Sequence, residues 1–188
     1  MATGLFETEA GYLHAGLEQL KPYLLSDEVY WNLGLRAPRG LAPYPQLTLG
    51  NLLLAEAKAK GAAQSEEERA RIKDLSEQLE AQRDEWRSAW EAKAEQEFGV
   101  RLRQWGRILT EIGEEPGRHK ASYASEVRDR AELDLLKDDL PGGLHAELAV
   151  WDARLKRLTQ AGDFVWEPEV KGSFPKEDYW YLWVKLKQ

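Results

Sequence analysis

The chain has 188 residues, a formal net charge of −7, 43% hydrophobic and 31% charged residues, and no cysteine. That length fits one domain and buries on the order of two-thirds of the unfolded surface. The apolar fraction excludes wholesale disorder, the negative charge works against phosphate backbones, and the missing thiols exclude disulfides and Cys-ligated metal.

The opening stretch "MATGLFETEAGYLHAG" carries Glu7 and Glu9 and lacks a basic n-region and a long apolar h-region. It does not read as a signal peptide. No run approaches 18 uncharged apolar residues, so no membrane span is expected, and the expected location is the cytoplasm. One Met, two Asn and abundant Glu and Arg lean in the direction of heat-adapted proteins.

Leu13, Leu17, Leu20 and Leu24 step by four, three and four, one face of a helix starting near Phe6. Pro22 should loosen it at Lys21, leaving "YLLSDEVYW" as a separate short element that Ser26 caps. "GLRAPRGLAPYP" is a loop. A second helix follows, with Thr48 as N-cap, Leu49, Leu52 and Leu53 buried, and Gly61 as its stop. Ser65-Glu66-Glu67-Glu68 matches the capping box and opens a long helix expected to reach Phe98, before Gly99. Its stripe is Ile72, Leu75, Leu79, Trp86 and Trp90, interrupted by Gln82. Eleven acids against six bases between Ser65 and Phe98 describe a surface helix laced with ion pairs.

Arg101 to Ile112 forms a further helix, and "GEEPGRHK" breaks it. Ser122 or Ser125 starts another, which Pro141-Gly142-Gly143 ends. Leu144, Leu148, Trp151, Leu155 and Leu158 give the cleanest amphipathic pattern, with Gly162 placed as a C′ glycine. After Gly162, "DFVWEPEV" and "DYWYLWVKLK" read as two strands of a hairpin. Alternation assigns Trp180, Leu182, Val184 and Leu186 to the core face, and Tyr179, Tyr181, Trp183, Lys185 and Lys187 to the other.

The chemistry-bearing patterns are sparse. His14, His119 and His145 stand apart, without the helical spacings of metal sites. No phosphate-loop or dinucleotide fingerprint occurs. Glu114-Glu115 and Asp138-Asp139 are adjacent acids, which do not face each other on a helix. Trp86, Trp90, Trp105 and Trp151 fall on apolar helix faces and read as core. Two patches remain. Tyr179, Tyr181 and Trp183, with Trp166, suit a partner-binding surface, because aromatic groups combine area with low entropy cost; cover by the loop 34–45 or by Trp31 is the competing reading. Arg101, Arg103 and Arg107 suit an anion or an acidic partner, against simple pairing with Glu97 or Glu111.

"PYLLSDEVYW", then "LTLGNLLL", then a terminal "FVW…FP…YWYLW" resembles bacterial helical proteins of no assigned activity. The resemblance covers most of the chain and implies a soluble bacterial protein; it brings no substrate, cofactor or site residue.

The expectation is a mainly α fold: a bundle of five or six helices over 1–162, with a small C-terminal β-hairpin over 163–188, in a single domain. The expected function is a non-enzymatic protein-interaction or assembly role through the aromatic hairpin and the long charged helix, with self-association or a protein partner, no membrane and no cofactor; nucleic acid is disfavoured and a small-molecule ligand is left open. The alternative is a small-molecule binder or enzyme with a Trp-lined pocket between helices.

Overall fold

The computed structural model describes residues 3–140 and 144–187. The protein is mainly α-helical and ends in a small antiparallel two-stranded sheet, as the pattern of hydrophobic spacing predicts. Its internal contacts divide the chain into two compact units, Met1–Glu97 and Phe98–Gln188.

The first unit contains α1 (Thr3–Leu24), α2 (Leu49–Ala62), α3 (Glu66–Glu85) and the first turns of α4 (Arg87–Glu114). The leucine stripe of α1 is buried, as are Leu49, Leu52 and Leu53 of α2 and Ile72, Leu75 and Leu79 of α3. A Cβ on Gly16 of α1 would stand 2.5 Å from Leu52 Cδ1, so a glycine there lets α1 and α2 approach closely. Thr48 caps α2, accepting from Asn51 N, and Ser65 and Glu68 form the reciprocal capping box that starts α3. Gln82, the polar break in the α3 stripe, donates to Leu17 O of α1 at 3.2 Å.

Several expectations are corrected here. The first helix continues through Pro22 to Leu24, because the proline sits in its last turn. Ser26 closes that helix, its hydroxyl donating to Tyr23 O at 2.8 Å, and it also accepts from Glu28 N at 3.2 Å, so it caps a turn as expected, but no further helix opens there. Gly61 lies inside α2, which runs on to Ala62; among the described glycines only Gly34 and Gly40 adopt the positive φ that a C′ glycine supplies. Finally, the helix expected over 65–98 is interrupted at Trp86 (φ −111°, ψ 30°), and the break expected at Gly99 does not occur. Gly99 does not take the positive φ of a helix-ending glycine, and α4 runs through it.

The second unit holds the rest of α4, then α5 (Pro116–His119), α6 (Tyr123–Glu126), α7 (Arg128–Leu136), a 3₁₀ turn (Lys137–Asp139), α8 (Leu144–Leu158), β1 (Thr159–Ala161) and β2 (Val184–Leu186). The strands pair antiparallel, with Thr159 opposite Leu186 and Ala161 opposite Val184. Both are three residues long. β1 leaves α8 directly and lies ahead of Gly162, so "DFVWEPEV" forms no strand, and β2 takes only Val184–Leu186 of "DYWYLWVKLK". Pro168 opens a 3₁₀ turn over Pro168–Ser173, and a second covers Trp180–Leu182. Those turns destroy the period of two: neighbouring Tyr181 and Leu182 are both fully buried. Gly162 is no helix cap. A Cβ there would press on Lys185 N and Val184 C at 3.0 Å each, so glycine permits the strand contact. Pro141, Gly142 and Gly143, expected to end a helix, lie outside the described residues.

Candidate functional site

An open groove of about 700 Å³ lies along α3 in the first unit. Glu56 and Lys60 of α2 form one wall; Arg69, Ile72, Lys73, Ser76, Glu77 and Glu80 of α3 form the floor and the other. The six α3 residues step by three and one, so they share one helix face. Ile72 is nearly fully buried, whereas Arg69, Lys73, Glu77 and Glu80 are exposed. Lys73 and Glu77 approach to 3.7 Å with most of each side chain in solvent, and Lys60 bonds Glu56 at 2.5 Å. The sequence offered a signal for this site in the spacing of a short apolar and small pair between charges. It reads as an ordinary solvated face until α2 supplies the second wall.

The aromatic residues singled out from sequence all lie in the second unit and hold the chain's own tail. Tyr181 is corrected from surface to core: it is fully buried, its hydroxyl donates to Asp134 Oδ2 at 3.0 Å, and Arg130 lies 4.4 Å from its ring centre. Burial pushes its phenol well above the usual value, and the Asp134 carboxylate adds to this. Tyr179 is half-buried, edge-on to Phe174 at 5.0 Å. Trp183 donates from Nε1 to Phe174 O at 3.1 Å, with Lys171 Nζ 4.7 Å over its ring. Trp166 donates from Nε1 to Ala124 O at 2.7 Å. Neither the 34–45 loop nor Trp31 is needed as cover, since Phe164 and Phe174 fill that place.

The three arginines separate. Arg101 faces inward and is buried, pairing with Asp129 Oδ1 at 2.8 Å and with Glu132. This removes it from any anion-binding surface. Burial raises the Asp129 carboxyl above its ordinary value, and Arg101 offsets part of that rise. Arg103 and Arg107 point to solvent, with Arg107 4.0 Å from Glu111. Beneath Tyr181, Arg130 makes a bidentate bond to Asp152 (2.8 and 2.9 Å) and reaches Asp134 at 3.4 Å. Burial pulls the guanidinium down, but these partners outweigh it and leave it above its usual value.

A second, polar cleft of about 440 Å³ contains Glu111, Glu114, Glu115 and Arg118. At its inner edge His119 Nδ1 lies 2.8 Å from Glu126 Oε1, and Ser122 Oγ donates to the same oxygen at 2.9 Å. The serine proton is directed at a carboxylate and not at the imidazole, so this trio does not activate a nucleophile in the manner of a Ser–His pair. His14 is exposed; the His145 side chain lies outside the described residues. Trp90 and Trp105 are fully buried core residues, while Trp86 and Trp151 are half-buried. Among the described residues no group of three or more His, Cys, Asp or Glu is placed to hold a metal ion, and no helix is long and apolar enough to cross a membrane.

No family model matches the chain, and neither does any curated protein sequence or any solved structure.

Proposed function

We propose that this protein is a non-enzymatic interaction or assembly module, and that the α3 groove is where it docks another polypeptide. The observation that carries the reading is the open groove itself, floored by Ile72 and Ser76 and rimmed by charges of both signs. Such an arrangement suits an amphipathic helix laid lengthwise, with apolar contact at the floor and ion pairs at the edges. Of the two surfaces considered from sequence, the long charged helix is therefore favoured over the C-terminal aromatics, whose indole N–H groups bond the chain's own backbone. The reading places the protein in a bacterial cytoplasm, in keeping with its cysteine-free composition.

Amine cross-linking in the cells that make the protein tests this, because Lys60 and Lys73 stand on opposite walls of the groove. Links from these two lysines to another polypeptide, either a different protein or an isotopically distinguished copy of this one, are expected. They should disappear in Ser76→Arg, which fills the floor. Only intrachain links at both positions would overturn the reading.

A further inference from the structure

We propose that the occupant of the α3 groove is a second copy of the chain, docked antiparallel about a two-fold axis that passes between Lys73 and Ser76; this rests on the docking role argued above. A two-fold interface needs a self-complementary surface, in which residue i meets residue j and j meets i. The groove face of α3 has that property. Its two basic residues, Arg69 and Lys73, lie toward the N-terminus, and its two acidic residues, Glu77 and Glu80, toward the C-terminus. An antiparallel second α3 sets Arg69 opposite Glu80 of the other copy and Lys73 opposite Glu77, and the symmetry repeats both pairs. A parallel arrangement sets like against like. A foreign partner must bring its own matched pattern, whereas this chain already carries one.

Ser76 lies near the axis, where a small side chain lets two helices approach, and Ile72 lies one turn away on the same face. The Lys73–Glu77 pair within one helix is no obstacle, since exposed pairs of this kind hold weakly and can exchange partners. α3 has 20 residues, so it spans roughly 30 Å. An interface built on that length falls at the small end of specific contacts. The dimer is accordingly concentration-dependent and weakened by salt.

The test uses two variants of the full chain, Arg69→Glu with Lys73→Glu and Glu77→Lys with Glu80→Lys, and light scattering coupled to size exclusion. The wild type is expected to rise toward twice the chain mass with concentration at low salt and to fall back at high salt. Each variant alone presents one sign of charge along the whole face and is expected to stay monomeric. An equimolar mixture restores every pair, so it should dimerise, which also proves that both variants fold. A wild type that stays monomeric throughout, a variant that dimerises like the wild type, or a mixture that stays monomeric would each overturn the proposal. If the wild type is monomeric yet Lys60 and Lys73 cross-link to a different protein in cells, the second copy is excluded and the docking role stands.

Discussion

Lys93 and Glu97, one turn apart on α4 and both buried, hold opposite poles of two different helices. Lys93 Nζ donates to Ser26 O at 2.6 Å and Glu28 O at 2.8 Å, the carbonyls just past the end of α1. Glu97 accepts from Gly50 N at 3.0 and 3.2 Å in the first turn of α2. A cation at a helix C-terminus and an anion at an N-terminus both match the helix dipole. Burial lowers the Lys93 ammonium from its usual value, and Asp27, Glu28 and Glu97 oppose that shift.

Glu97→Gln keeps an acceptor but loses the charge, and is expected to cost about 1 kcal/mol. Glu97→Ala removes the acceptor of the buried Gly50 N–H and is expected to cost about 2–3 kcal/mol. Urea unfolding measures both; equal costs would show that the charge contributes nothing.

Gly106 on α4 and Trp151 on α8 meet so closely that a Cβ on Gly106 would lie 2.6 Å from the indole. Gly106→Ala is expected to destabilise by about 1–3 kcal/mol through overpacking. Gly4→Ala, where a Cβ meets nothing, is expected to be neutral or to stabilise by up to about 1 kcal/mol. Thermal unfolding of the two variants checks the contrast.

Arg101 and its sequence neighbours separate sharply in their surroundings. Arg101→Ala strands buried Asp129 and leaves buried Glu132 with Arg128 as its partner, and is expected to cost about 3–5 kcal/mol. Arg103→Ala and Arg107→Ala should stay within about 0.5 kcal/mol of wild type. Comparable losses at all three positions would contradict the assignment.

Burial raises the phenols of Tyr123, Tyr179 and Tyr181 above their ordinary value of 10.0. The folded state therefore holds these protons more tightly than the unfolded chain. The associated stability is complete below pH 10 and declines as pH rises past it toward the folded values. Tyrosinate absorbance during an alkaline titration should show fewer than all seven tyrosines ionising while the helical signal persists, with the rest released on unfolding. All seven ionising in an intact fold would refute this.

Much of the helical part was legible because its signals are local. Thr48, the Ser65–Glu68 box and the leucine steps of α1 and α8 act within a turn or two. Proline and glycine misled where their context decides the outcome, as with Pro22 in a last turn and with Gly61 and Gly99 inside helices. Gly162 was placed as a cap because its need for space comes from Lys185, over twenty residues away. The same holds for Tyr181, whose burial depends on Arg130 and Asp134 of α7, for Lys93, which reads as one member of a charge run, and for Glu97, which reads as a partner for the α4 arginines; the groups both of them hold lie far back in the chain. The α3 groove was hidden for a related reason: six of its residues share a helix face, but the wall that makes it a groove comes from α2.

The chain has no cysteine, so Asp74→Cys, level with the proposed two-fold axis but on the solvent side of α3 outside the groove, offers a single attachment point for a nitroxide that leaves the interface intact. Packed helices lie 8–10 Å apart, which brings two such labels within dipolar range. The proposed arrangement predicts spin–spin coupling that grows with protein concentration and vanishes at high salt. An isolated, uncoupled spin at every concentration would contradict it.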